Sequence, residues 1–315
     1  MSTLLQFMGL EAVHLPAKPL HLAIGMFDGV HLGHQAVIAK AVDAAQAGEG
    51  ISAALTFWPH PSGLFRPQDP TRLIMTPEAK SRVLARLGIE ALITQPFTPE
   101  FAGVTAEDLL PEFRRVLPQL AAIYIGENWR FGRGRAGDVS LLKQMAPSLG
   151  IAVISMPRVR NKEDETISST RIRELIESGE IEHANQLLGY PYFAEGRITP
   201  GKGMGRQIGF PTLNLNWIPE LLPQYGVYAV RVRRDGETVG FNGVANYGVR
   251  PTVENTSNPR LEVHLLSECD FSAGDDIIVE LMQFLRPEQK FENVEGLRSQ
   301  IRLDCADALQ WFADK

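Results

Sequence analysis

From residue 20 to about residue 180 the chain alternates short runs that are apolar throughout with stretches of helical periodicity, and this alternation restricts the fold more than any other feature. The runs are LHLAIGM (20–26), ISAALTF (51–57), ALIT (91–94), AAIYIG (121–126) and IAVISM (151–156), and the helical stretches include HQAVIAKAVDAAQA, PEAKSRVLARLG, AEDLLPEFRRVL and DVSLLKQMAP. A strand that is apolar on both faces must be covered on both, and strands separated by helices run parallel. The pattern predicts a doubly wound parallel-sheet α/β domain, whose ligands bind at the carboxyl ends of the strands.

After the helical segment SSTRIRELIESGEIEHANQLLG the character changes at Tyr190-Pro191. From there to about residue 286 the runs YFAEGRIT, YGVYAVRVRR, ETVGFNGVANYG, RLEVHLL and DDIIVELMQFL read as strands, with a hairpin turn at Asp235-Gly236. One helix, NVEGLRSQIRLDCADALQWFAD, closes the chain. The second domain is therefore expected to be a small antiparallel β-barrel with a C-terminal helix. The boundary falls within 186–192, giving domains 1–187 and 188–315, as 315 residues at about 150 per domain suggest.

No apolar run approaches the roughly 20 residues that span a bilayer, so no membrane partner is expected. The N-terminus has no basic start or cleavage site, and two cysteines, Cys269 and Cys305, make no disulfide framework. A reducing, cytoplasmic setting is expected. With 31 basic against 37 acidic residues the net charge is −6, which argues against a nucleic-acid partner. Small polyanions are still accommodated, because Arg130, Arg133, Arg135, Arg158 and Arg160 crowd into 130–160.

The most informative segment is Gly25-Met-Phe-Asp-Gly-Val-His-Leu-Gly-His34. It leaves a strand, turns through Gly25, Asp28 and Gly29, and enters a helix near Gly33. His31 and His34, three apart, fall on one face of that entry. A helix N-terminus offers free N–H groups and a positive dipole end to an anion, and two imidazoles add donors. Capping or packing explains an isolated His-x-x-His as well, whereas zinc lacks further Cys and His nearby. The strand-turn-helix context favours phosphate.

Gly132-Arg-Gly134-Arg-Ala-Gly137 fits a dinucleotide pattern, but Pro157 stands where an acidic ribose ligand belongs, so an anion-binding arginine loop fits better. In Ile167-Ser-Ser-Thr-Arg-Ile-Arg173 a hydroxyl caps a helix, with Glu174 placed for a capping box. Arg171 and Arg173 in the first turn oppose the dipole unless an anion lies between. In the β region, Gly201-Lys-Gly-Met-Gly-Arg-Gln-Ile-Gly-Phe-Pro-Thr-Leu-Asn214 joins two strands and lets backbone N–H groups approach an anion. It is no P-loop, since Gly203 replaces the Ser or Thr and no helix is expected to follow. In Leu261-Glu262-Val-His264, alternation places Glu262 and His264 opposite Leu261 and Val263, facing solvent or lining a pocket.

The order Gly-x-Phe-Asp-Gly-x-His-x-Gly-His, Thr56-Phe57-Trp58-Pro59-His60-Pro61, Arg130-Phe131-Gly132 and Ile-Ser-Ser-Thr-x-Ile-Arg resembles the nucleotidylyltransferase module of the prokaryotic bifunctional FAD synthetases. Gly-Phe-Pro-Thr-x-Asn, Asn246-x-Gly-x-Arg-Pro-Thr252 and Leu-Glu-Val-His-Leu-Leu resemble the riboflavin kinase module of the same family. The resemblance implies an enzyme that phosphorylates riboflavin to FMN with ATP and Mg²⁺, then adenylylates FMN to FAD with release of pyrophosphate. It implies adenylyl transfer by His31, His34 and Arg173, with substrate or nucleotide contacts from Gly25, Phe27, Asp28, Asn128, Arg130, Ser168, Ser169 and Thr170. In the kinase module it implies nucleotide contacts from Gly201, Lys202, Gly203, Gly205, Pro211 and Asn214, Mg²⁺ at Thr212 with Asn214, and Glu262 as base.

Departures occur at Asn128-Trp129, where many members have Asp-Phe, at Leu213, where Ala is usual, and at Asp270-Phe-Ser-Ala-Gly274, which is one residue longer than usual. Retention of one activity, or a non-catalytic flavin-binding module, is the alternative. His60 either touches nucleotide or fixes its turn. Oligomeric state is not legible.

Overall fold

Each apolar run becomes a strand of one parallel sheet. Residues 4–201, 203–237, 239–248 and 259–315 are described by the computed structural model, which divides into units 1–169 and 170–315. In the first unit the strands are β1 (Leu5–Met8), β2 (Leu20–Ile24), β3 (Ile51–Trp58), β4 (Ala91–Pro96), β5 (Leu120–Gly126), a two-stranded ribbon of β6 (Arg130–Phe131) and β7 (Gly137–Asp138), and β8 (Ala152–Met156). The main sheet has the order β1-β4-β3-β2-β5-β8, with every pairing parallel. β1 has no counterpart among the apolar runs, because only Phe7 of its residues is buried. It pairs with β4 alone, as an edge strand.

The chain steps outward from β2 through β3 to β4, then returns to the opposite side of β2 with β5. β2 and β5 thus flank the topological switch point, where the carboxyl ends of strands leave a crevice. Leu22, Ile24, Leu55, Ile93, Ile123 and Ile125 form the buried layer beneath it. Helices start where the sequence offers a capping side chain: His31 before Leu32–Ala47, Thr76 before Pro77–Arg86, Thr105 before Ala106–Val116 and Asp138 before Val139–Met145.

The second unit is a closed antiparallel barrel of β9 (Phe193–Thr199), β10 (Leu213–Leu215), β11 (Gly226–Arg234), β12 (Phe241–Gly248), β13 (Arg260–Leu265) and β14 (Asp276–Pro287). The order around it is β10-β13-β12-β11-β14-β9, which leaves no open edge. Asp235 and Gly236 form the expected turn between β11 and β12, Gly236 with φ 84°. Leu261, Val263, Tyr228 and Tyr247 are fully buried. The helix Ile181–Leu188 is tied to this barrel by Asn185, whose amide donates to Leu281 O (2.8 Å) and accepts from Tyr192 N (2.7 Å).

The closing helix, Val294–Ala313, is capped by Asn293. Buried Asp304 accepts a two-pronged contact from Arg286 at the end of β14, both distances 2.7 Å.

Candidate active sites

The Gly25–His34 turn leaves the carboxyl end of β2, beside the switch point. Gly25 N still donates to Leu55 O at 3.1 Å, and the backbone then turns sharply through left-handed positions at Phe27 (φ 49°), Gly29 (φ 76°) and Val30 (φ 35°). Two of these three are not glycine, a conformation that persists only when the surroundings over-determine it. Here they do. Met26 O accepts from Lys80 Nζ (2.8 Å) and Thr56 Oγ1 (3.0 Å), Asp28 Oδ1 accepts from Ile74 N (2.9 Å), and Asp28 O accepts from Ser169 Oγ (2.9 Å). Gln35 Nε2 donates to Val30 O (2.8 Å). A Cβ on Gly25 would lie 2.9 Å from the Phe27 ring, so glycine there lets the ring fold inward.

The histidines are brought together at the start of the helix Leu32–Ala47. Their rings stack with centroids 3.7 Å apart and 14° between planes. His31 Nδ1 accepts the His34 backbone N–H at 3.3 Å, which places the neutral imidazole's proton on Nε2 and makes that atom a donor. A Cβ on Gly33 would come within 3.1 Å of the His31 ring. The Phe27 ring meets His34 edge-on at 5.4 Å, and His34 Nδ1 is buried without a hydrogen-bond partner. Burial first, then electrostatic opposition from the neighbouring His31 and Lys80, hold the His34 pKa well below the ordinary imidazole value of 6.5.

The other expected residues of this unit divide. Ser169 is tied to the turn through Asp28 O, as a tether rather than a cap, and Ser168 immediately precedes the helix Ser169–Glu177. Glu174 pairs with Arg171 (3.5 Å). Thr170 and Arg173 belong to the unit 170–315, where Arg173 is half-buried. Asn128 is exposed beyond β5. Arg130 pairs with Asp138 (3.4 Å), Arg158 with Glu127 (3.9 Å) and Arg160 with Asp164 (2.8 Å), so the arginine-rich stretch is not a run of bare charge. His60 fixes its own turn: Nδ1 accepts from Ser62 N (3.1 Å) at the start of the helix Pro61–Phe65.

Two features of this unit escape the sequence reading. Lys80 is only 5% exposed, its ammonium under the turn. Its signal was its place on the helical stripe Lys80, Val83, Leu84 and Leu87. The second is an aromatic group beyond the carboxyl ends of β3 and β4: Phe97 meets Phe57, Phe65 and Phe101 at centroid distances of 5.9–6.0 Å, and Phe65 is 63% exposed.

In the barrel, register places Glu262 of β13 opposite Asn214 of β10 on one side and Asn246 of β12 on the other. Cross-strand partners share a face, so three polar side chains form a row on the face away from buried Leu261 and Val263. His264, two residues on, donates from Nδ1 to Pro211 O (2.9 Å) and packs edge-on against Phe210 (5.3 Å). It thereby holds the end of the glycine loop against the strand that carries Glu262.

Loop and strand approach closely. A Cβ on Gly201 would be 2.4 Å from the Asn214 amide, and one on Gly205 would be 2.3 Å from Phe210 O and 3.3 Å from Thr212 Oγ1. A single helical turn, Met204–Gln207, lies within the loop, contrary to the expectation of no helix, and is too short to serve as a P-loop helix. Asp270 and Asp275, flanking the longer segment, both pair with Arg234 (3.1 and 3.2 Å), and Phe271 lies under the Arg234 guanidinium. Lys202 and Val249-Arg250-Pro251-Thr252 lie outside the described residues.

No group of three or more His, Cys, Asp or Glu side chains is placed to hold a metal among the described residues. Thr212 Oγ1 and Asn214 Oδ1 are hard oxygen donors beside a loop that admits no side chain at Gly201 or Gly205, and this suits a cation that keeps its waters and takes most other ligands from phosphate.

Residues 15–171 match the FAD synthetase family and residues 188–312 the riboflavin kinase family. The chain is 36% identical over 294 residues to a bifunctional riboflavin kinase/FMN adenylyltransferase of Listeria monocytogenes, covering 93% of this chain and 92% of that one. It is 34% identical over 298 residues to the Escherichia coli K12 protein of the same description, covering 94% of each. Among solved structures, a Streptococcus pneumoniae chain described as a macrolide-efflux protein superposes with a TM-score of 0.84 and 27% identity, over 96% of this chain and 97% of that one. Among the described residues no helix is long and apolar enough to cross a membrane.

Proposed function

Since the chain belongs to the family of bifunctional riboflavin kinase/FMN adenylyltransferases, making FMN from riboflavin and FAD from FMN, we propose that its two reactions run at the two constellations above. The observation that carries this reading is that the histidine pair and the Asn214–Glu262–Asn246 row lie in separate units. The functional boundary proposed is 187/188, and the setting proposed is the cytoplasm, consistent with two unpaired cysteines.

In the kinase, Glu262 accepts the proton of the riboflavin 5′-hydroxyl as that oxygen attacks the γ-phosphorus of ATP, and ADP leaves. A positioned base of this kind contributes about 10²–10⁴-fold. The glycine loop from Gly201 through Gly203 and Gly205 to Pro211 directs backbone N–H groups at the phosphates, with Lys202 as counter-charge. Mg²⁺, held by Thr212 and Asn214, neutralises phosphate charge when bound.

In the adenylyltransferase, the FMN phosphate attacks the α-phosphorus of a second ATP and pyrophosphate leaves. The nucleophile is already an anion, so no side chain need remove a proton. The chain must screen repulsion and stabilise the leaving group. His31 Nε2–H and the backbone amides at the start of Leu32–Ala47 supply donors for this, and His34 extends the pair. Gly25, Phe27 and Asp28 shape the phosphate-facing turn, while Asn128, Arg130, Ser168 and Ser169 complete the nucleotide contacts. Exposed Phe65, packed edge-on against Phe97, offers an apolar ring face to a flavin.

The test is to supply riboflavin, ATP and Mg²⁺ and resolve flavins over time. FMN should appear first and FAD after it. Failure to form either would overturn the reading.

A further inference from the structure

The turn that carries the histidine pair is strained, and its centre is held by a buried lysine that has no part in the chemical steps above. Lys80 comes from the helix Pro77–Arg86, is 5% exposed, and donates to Met26 O at 2.8 Å and to Thr56 Oγ1 at 3.4 Å. Thr56 Oγ1 donates to the same carbonyl at 3.0 Å, so Met26 O is fixed from two sides, just before the left-handed Phe27. Burying an ammonium is unfavourable unless it is well partnered, and a neutral side chain would fill this space more simply.

We propose that Lys80 is the positioning residue of the adenylyl-transfer site: its buried ammonium fixes Met26 O, and through it the Phe27–Val30 turn that sets the histidine pair and the start of the helix Leu32–Ala47. Its charge has a second effect. The ionisable groups facing His34 are His31, stacked on it, and Lys80, while the Asp28 carboxylate of the same turn receives the Ile74 amide. The Lys80 ammonium opposes protonation of His34, so Lys80 helps keep that ring neutral and the stacked pair intact. A misplaced turn would move the donors away from the transferring phosphorus, and displacement of about 1 Å is worth about 10²-fold in rate.

The inference rests on adenylyl transfer occurring at the histidine pair, so the experiment includes His34→Ala. With the full chain, FAD formation from FMN and FMN formation from riboflavin are measured for Lys80→Met, and the His34 ring is titrated by NMR. Lys80→Met should lower kcat for FAD formation about 10²-fold with less than about threefold change in KM for FMN. Riboflavin phosphorylation should stay within about twofold, and His34 should titrate at higher pH than in the parent. FAD formation within about threefold of the parent, or an unmoved His34 titration, would overturn the inference. If Lys80→Met does not fold, Thr56→Val and Lys80→Gln serve: a loss of about tenfold or more in both supports it, and parental rates in both overturn it. His34→Ala with undiminished FAD formation would overturn the site assignment and this inference together. An inactive His34→Ala beside a fully active Lys80→Met would overturn the inference alone.

Discussion

The two turns proposed to face phosphate are built in opposite ways. The Gly25–His34 turn has non-glycine residues in left-handed conformations and is fastened from neighbouring segments by Lys80, Thr56, Ile74 and Ser169. The Gly201–Asn214 loop puts glycine where backbone or side chains crowd it, folds back on itself through Phe210 N to Gly205 O (2.8 Å), and is held to the barrel by His264. In adenylyl transfer the nucleophile arrives already ionised, and the chain supplies a rigid array of donors. In kinase chemistry a base must meet a hydroxyl, and a loop closes on phosphates. A buried, over-determined turn suits the first, and a glycine loop beside an accessible carboxylate suits the second.

The largest effect should come from the proposed base. Glu262→Gln keeps the shape of the row but not the proton acceptor, and riboflavin phosphorylation should fall about 10²–10⁴-fold while supplied FMN is still adenylylated at the parental rate. In the other unit, His31→Ala removes both a donor and the cap on Leu32–Ala47. FAD formation should fall about 10²–10³-fold, so that FMN accumulates in a time course. Loss of FMN formation in the same variant would break the contrast.

Stability should separate the units as well. Asp304→Ala leaves Arg286 without its carboxylate and should destabilise the barrel by about 2 kcal/mol, seen as a lower unfolding transition for the kinase with the adenylyltransferase transition unmoved.

The smallest effect is a slope with pH. His34 is depressed in the folded chain and ordinary when unfolded, so below pH 6.5 the unfolded chain takes up a proton that the folded chain refuses. Stability of the adenylyltransferase unit should therefore fall as pH drops below 6.5 towards the depressed value, by up to about 1.4 kcal/mol per pH unit, with no contribution above it. His34→Gln should flatten that slope in thermal melts followed against pH.

Most of the α/β sheet was legible because strands covered on both faces are apolar along their whole length, as in β3, whose first six residues are all buried. β1 was not, since an edge strand with one buried residue carries no such signal. The histidine pair could be read because its residues are adjacent in sequence and its context is local. The row through Glu262 could not, because it depends on which strands close the barrel and in what register. Lys80 was hidden for a simpler reason: a lysine in an amphipathic helix ordinarily faces water, and only its stripe-mates Val83 and Leu84 mark it as buried. The phenylalanine group joins residues from separate segments, 57, 65, 97 and 101, that no motif links.

The separation of the two sites is tested most directly by supplying FMN and ATP to folded Glu262→Gln, and riboflavin and ATP to folded His31→Ala, with Mg²⁺ in both. Two independent sites predict FAD from the first at the parental rate and FMN without FAD from the second. Loss of both steps in either folded variant would contradict the separation.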